Sequence, residues 1–239
     1  MSILINKNIR KLITDKSIII SKSFQNSQIQ PASLDLTLSA SCYRIKASFI
    51  PNNKKVSKLI ETLAINEINL NNENLLERNC IYLCELNESL SLNDLFSAKS
   101  NPKSTTGRLD IFTRLITDNG KEYDVVEKGY KGKLYLEIIP QSFSIIVKKG
   151  LSLNQIRFYR DIQKSNSFIN SQDISIYIKR NEICAYKAKK NTSAINLSNL
   201  NHYKVNDFWE TIIPKNNNFI IEKDEFYILR SLENIKIED

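Results

Sequence analysis

What most limits the fold of this chain is its rhythm: from residue 33 onward it runs as short β-rich stretches closed by turn residues. The stretches are 33–38, 43–49, 80–86, 109–117, 133–139, 144–147 and 155–159. Asn52-Asn53, Asn71-Asn72, Asn119-Gly120 and Lys149-Gly150 separate them, and Asn and Gly are the residues that best tolerate left-handed backbone. Many short strands with such breaks predict an all-β barrel or sandwich, not alternating strand and helix units. One short amphipathic helix is expected ahead of them, where Ile9, Leu12 and Ile13 fall at helical spacing within residues 8–15.

The 239 residues, 41% of them hydrophobic, can supply a core for one large domain, or for one domain and part of another. No run reaches the ~18 uninterrupted apolar residues of a membrane helix. Residues 1–20 lack the basic start, apolar middle and small-residue cleavage site of a signal peptide. A soluble cytoplasmic protein with no membrane partner is expected. The net charge of +8 is spread from Lys7 to Lys236 with carboxylates between, which points away from a nucleic-acid polymer but leaves room for a small polyanion. Cys42, Cys80, Cys84 and Cys184 are expected as thiols, not disulfides. His202 is the only histidine, and Cys80 and Cys84 have three residues between them and no preceding proline. No zinc or other metal site is expected, so any hydrolytic chemistry must activate water with a carboxylate.

Two segments carry polar groups of the kind chemistry needs. Ser100-Asn101-Pro102-Lys103-Ser104-Thr105-Thr106-Gly107-Arg108-Leu109 holds two cations, several hydroxyls and a glycine. It can surround a phosphate chain, with charge-assisted hydrogen bonds from Lys103 and Arg108 and a neutral donor from Ser104. It reads equally well as a solvated β-turn. The order of a Walker loop is missing, so ATP hydrolysis by that route is not supported. In Gly129-Tyr130-Lys131-Gly132-Lys133-Leu134-Tyr135-Leu136-Glu137-Ile138, strand alternation puts Leu134, Leu136 and Ile138 on one face and Tyr135 with Glu137 on the other. Glu137 then lies either on a solvated face or in a polar pocket.

These segments, with two others, resemble the dCTP deaminases of the dUTPase-like superfamily. Ile29-Gln30-Pro31-Ala32-Ser33-Leu34-Asp35-Leu36 is similar to their N-terminal signature, and residues 103–109 to their Arg/Lys-Ser-Ser-x-x-Arg-Leu motif. Gly129-Tyr130-Lys131-Gly132 with Leu136-Glu137 resembles their aromatic turn and catalytic-glutamate strand, and residues 150–158 their closing strand, with Gln155 at its glutamine. Glu127-Lys128-Gly129 stands where the single-domain enzymes have Asp-Pro-Gly. The resemblance implies a distorted β-barrel of the dUTPase type (β-clip) with short helices, packed around a three-fold axis as a homotrimer with sites near domain boundaries. It implies hydrolysis of dCTP to dUTP and ammonia for pyrimidine deoxynucleotide synthesis. Glu137 would be the general base, beside Arg108 and Ser104, with Lys103, Ser104, Thr105, Arg108, Thr117 and Gln155 contacting nucleotide. No cofactor is required for this chemistry, and Mg2+ would come only with the triphosphate.

The rest of the chain raises the question of a second domain. Residues 76–94 align without gaps on residues 221–239: Glu77 meets Glu222, Tyr82 meets Tyr227, Glu88 meets Glu233 and Asp94 meets Asp239. Residues 185–190 and 207–210 resemble the junction in the longer, two-domain bacterial form of the family. The expected plan is a deaminase-like β domain over 1–160, a connecting region over 161–208 with one strand at 174–178, and the start of a truncated second domain over 209–239. Two rival readings stand beside the deaminase: a dUTPase-like pyrophosphatase, and a catalytically inactive remnant that binds nucleotide.

Overall fold

The computed structural model describes residues 2–160, 173–216 and 218–234. The chain divides into two compact units, Met1–Ser165 with Ala194–Ser198, and Asn166–Ser193 with Asn199–Asp239. The first unit begins with β1 (Ser2–Ile3), α1 (Asn6–Thr14), β2 (Ile18–Ile19), β3 (Leu34–Leu36), β4 (Leu38–Ile45), α2 (Val56–Leu63), β5 (Ala64–Asn69) and β6 (Asn74–Leu76). It continues through β7 (Tyr82–Ser91), β8 (Phe96–Pro102), α3 (Ser104–Arg108), β9 (Ile111–Thr117), β10 (Val125–Val126), β11 (Lys131–Pro140), β12 (Ile145–Val147) and β13 (Asn154–Arg160). The second unit holds β14 (Ala185–Ala188), α4 (Val205–Phe208), β16 (Trp209–Ile212) and β17 (Tyr227–Leu229), while β15 (Ile195–Asn196) belongs to the first. The protein is thus mainly β with a few short helices.

Three sheets build the first unit. One has the order β1-β13-β8-β10 with β3 also on β13, one the order β5-β4-β7-β11-β9 with β2 also on β7, and one the order β15-β12-β6. Their inner faces meet in one core that includes Leu34, Leu36, Leu134, Leu136, Ile138, Ile156 and Phe158. The alternation read from the sequence of β11 is therefore the one observed. Tyr135 faces the other way, into a smaller cluster with Ile45, Val56, Leu83 and Ile116. That cluster matters because Glu137 shares its face of the sheet.

Several turn signals act as expected: Asn52, Asn53, Asn119 and Gly150 all have positive φ, between 45° and 88°. Other elements differ from expectation. Residues 96–102 form β8, whose Lys99, Asn101 and Pro102 pair with Arg157, Gln155 and Asn154 of β13. Residues 104–108 form a helical turn, not a β-turn: Gly107 N donates to Lys103 O at 3.0 Å, and Thr106 Oγ1 donates to Leu153 O at 2.8 Å. Residues 174–178 form a single bridge, Ile176 to Ser231, with Tyr177 N donating to Arg230 O at 2.8 Å and Leu232 N to Ser175 O at 2.9 Å.

The second unit repeats part of the first. Its sheet order is β16-β14-β17, and β14 pairs Lys187 with Glu210 on one side and Tyr227 on the other. In the first unit β4 pairs Arg44 with Asn66 of β5 and Tyr82 of β7. Each outer strand, β5 or β16, follows directly on a helix, α2 or α4. The aligned tyrosines also do the same work: Glu77 N donates to Tyr82 Oη at 2.8 Å, and Glu222 N to Tyr227 Oη at 3.2 Å. Asn79 and Asp224, at aligned positions in the turn, have φ of 59° and 61°. The alignment of 76–94 on 221–239 is thus matched by backbone geometry over 77–84 and 222–229, each a turn leading into a strand. In the second unit β14 comes from residues 161–208, the stretch expected as a connecting region with one strand at 174–178.

Candidate active site

Pro102 ends β8, and the chain turns at Lys103 into α3 while Lys103 N donates to Leu153 O at 3.0 Å. This brings the start of α3 against the outward side chains of β13 and the loop before β3. A cleft of about 420 Å³ lies there, lined by Gln30, Ser33, Asp35, Lys103, Ser104, Thr105, Gln155 and Arg157, with Pro31 and Ala32 at its edge. The Lys103 ammonium is paired with the Asp35 carboxylate. Ser33 Oγ donates to Gln155 Oε1 at 2.8 Å. Arg157 donates to Asn101 Oδ1 and has no carboxylate partner among the described residues. The cleft therefore offers two cations, hydroxyls and an amide to a ligand, a set suited to a phosphate chain.

A buried network fixes the loop on one side of it. Gln28 Nε2 donates to Asp35 O at 3.0 Å and to Glu88 Oε1 at 2.8 Å. Glu88 also accepts from Thr37 Oγ1 at 2.8 Å and from Thr37 N at 2.9 Å. Burial raises the Glu88 carboxyl above its ordinary value, against these hydrogen bonds, which lower it.

Glu137 lies elsewhere in the unit. It sits in β11 between Leu83 of β7 and Arg114 of β9, and its side chain is 0% exposed. Arg114 Nε and Nη2 both donate to Oε1, at 2.8 and 2.5 Å. Oε2 is buried and has no hydrogen-bond partner among the described residues. The Arg114 guanidinium lies 3.9 Å from the centroid of the Tyr123 ring and 5.0 Å from that of Phe112. Burial raises the Tyr123 phenol, opposed by Arg114 and reinforced by Glu137, and burial likewise raises the Asp124 carboxyl, which accepts from Leu115 N at 2.8 Å.

Of the residues singled out in the sequence, the cleft brings together Lys103, Ser104, Thr105 and Gln155. Arg108, at the end of α3, is exposed and does not line it. Thr117 is buried beside the Asn119-Gly120 turn, where Gly120 N donates to its carbonyl at 3.1 Å. Glu137 was expected beside Arg108 and Ser104; within one chain its partner is Arg114, because β9 pairs Arg114 directly opposite it. Arg114, Arg157 and the pairing role of Asp35 were not foreseen. Arg114 and Arg157 alternate with buried residues in their strands, a pattern that usually marks a solvated face, so only the register reveals them. The Gly129 turn is as the motif suggests: φ is 70°, and a Cβ there would stand 2.3 Å from Asp94 Oδ1. All four cysteines are free thiols, and no group of three or more potential metal ligands occurs among the described residues. Among the described residues no helix is long and apolar enough to cross a membrane.

Comparison with known proteins gives these features a family. The profile of the 2'-deoxycytidine 5'-triphosphate deaminase (DCD) N-terminal domain matches residues 1–162, and that of the C-terminal domain matches residues 160–239. The crystal structure of 2'-deoxycytidine 5'-triphosphate deaminase from Agrobacterium tumefaciens superposes with a TM-score of 0.91 at 36% identity, covering 98% of this chain and 75% of that one. The "dCTP deaminase, dUMP-forming" of Methanococcus maripaludis is 23% identical over 204 residues, 79% of this chain and 96% of that protein. Both family domains are matched, the second across 161–208 and 209–239 together, where a connecting region and the start of a second domain were expected. With this agreement over nearly the whole chain, in sequence and in fold, the chain belongs to the dCTP deaminases, a family of hydrolases.

Proposed function

We propose that the chain hydrolyses the 4-amino group of dCTP to give dUTP and ammonia, as a cytoplasmic enzyme of pyrimidine deoxynucleotide synthesis, with Glu137 as general base. The observation that carries this reading is the Glu137 carboxylate: fully buried, held in a strand, and with one oxygen left without a partner. Water adds its oxygen to C4 of the ring while one proton passes to Glu137 and on to N3. A second proton then passes from the new hydroxyl to the amino nitrogen, the C4–N bond breaks, and ammonia leaves. The cleft at Lys103, Ser104, Thr105, Gln155 and Arg157 takes the triphosphate, and Mg2+ enters only as part of that substrate.

Because Ser104 and Arg108 do not meet Glu137 within one chain, this reading completes the site between copies. A second chain supplies its Ser104 and Arg108 to Glu137 in the three-fold packing of dUTPase-type barrels that the resemblance implies.

The test is incubation of purified protein with dCTP, reading ammonia, nucleotide and pyrophosphate, with and without a strong zinc chelator. Equal ammonia and dUTP at an unchanged rate with chelator are expected. Pyrophosphate appearing with dUMP would assign the product named for the Methanococcus protein, pyrophosphate without ammonia would favour a pyrophosphatase, and binding without turnover an inactive relative.

A further inference from the structure

The clamp on Glu137 is asymmetric. Arg114 uses two of its donors, Nε and Nη2, on a single oxygen, Oε1, and leaves Oε2 unpartnered in a buried setting. An oxygen that already accepts two charge-assisted hydrogen bonds is a poor proton acceptor, because a new proton would have to displace one of them. The free oxygen has no such competitor. The guanidinium is itself fixed, 3.9 Å from the Tyr123 ring and 5.0 Å from that of Phe112, and it lies directly across from Glu137 in the β9–β11 register. Rings, fork and strand pairing together leave the carboxylate little freedom to rotate.

We infer that Arg114 is the positioning residue of the reaction: it holds Oε1 so that Oε2 is the atom that takes the proton of the attacking water and passes it to the ring. Arg114 acts through Glu137 and does not touch substrate. The inference rests on the reading of Glu137 as general base.

The two are separated by a set of variants of the full-length protein assayed with dCTP. Glu137→Gln alone tests the base; undiminished turnover there removes the underlying reading. For the inference, Arg114→Gln is expected to lower kcat on the order of 10²-fold while KM for dCTP stays within about threefold. Arg114→Lys keeps the charge without the fork and should recover about a tenth of wild-type kcat. In the Glu137→Gln background, Arg114→Gln should cost nothing more, since a residue that acts only through the carboxylate has nothing left to position. A rise in KM at constant kcat would make Arg114 a substrate contact and overturn the inference, as would a further loss in the double variant. Should Arg114→Gln fail to fold, by circular dichroism, Arg114→Lys decides: wild-type kcat in that folded variant means the fork is not needed.

Discussion

Lys103 and Asp35 form an ion pair at the cleft, their side chains 29% and 8% exposed, so the cation nearest the expected phosphates is already engaged before any ligand arrives. A phosphate that binds Lys103 must share it with this carboxylate. Lys103→Gln should raise KM for dCTP about 10- to 100-fold with kcat little changed, the effect of losing about 1.5–3 kcal/mol of charged hydrogen bonding. Asp35→Asn should move KM in the opposite direction, by up to about tenfold, because it removes a competing anion. Steady-state kinetics of both variants check this, and an unchanged KM in Lys103→Gln would take Lys103 out of the phosphate site.

Glu137→Gln keeps the shape of the carboxylate and the acceptor that Arg114 needs, but it cannot take a proton from water. Deamination should fall by about 10²- to 10⁴-fold while dCTP affinity, measured by calorimetry, is largely kept. Full turnover in this variant would mean that another group activates the water.

The Glu88 network makes stability depend on pH in a stated direction. Burial raises this carboxyl above 4.5 in the folded protein, so the folded state binds the proton more tightly than the unfolded chain does. The stability gained from that proton is complete below pH 4.5 and is lost as pH rises through the raised value. Urea unfolding of the wild type and of Glu88→Gln, compared between pH 4.5 and 7, should show the wild type losing ground as pH rises. A difference that stays flat or grows would contradict the assignment.

The second unit should yield first to proteases. Its buried apolar side chains among the described residues are Cys184, Ala185, Ala188 and Phe208, whereas the first unit buries Leu and Ile from every sheet. Small buried surface means low local stability. Limited proteolysis should cut within residues 199–234 at least about tenfold faster than within 2–160, leaving a fragment with its β structure intact. Equal resistance of the two units would refute this.

Much of this architecture can be read from the chain because it depends on local pattern. The alternation at residues 134–138 separates core from site face, and Asn at tight turns announces positive φ. What was hidden depends on pairing across long distances. Residues 104–108 carry the Ser, Thr and Gly of a turn, yet they are helical where the Leu153 carbonyl accepts from both Lys103 N and Thr106 Oγ1. Residues 56–69 lie outside the stretches read from the sequence as helix or strand, and α2 and β5 form there against the face shared by Val56, Leu83 and Tyr135. Arg114 reads as one exposed cation in a strand until the β9–β11 register places it opposite Glu137.

The tyrosine latch that occurs in both units shows what kind of memory a duplicated segment keeps. Tyr82 is 1% exposed and Tyr227 is more open, and the residues around them have diverged, yet each phenol oxygen receives the backbone amide five residues earlier across a turn with one left-handed residue. Charge on the neighbouring strand is kept as well, though not its identity, with Arg44 set against Glu77 and Lys187 against Glu222. What persists is a way of closing the chain on itself, carried by one hydroxyl and one backbone angle. The rest of such a copy is free to drift as long as that closure holds, and substitutions at either tyrosine should be felt first in the shape of the turn.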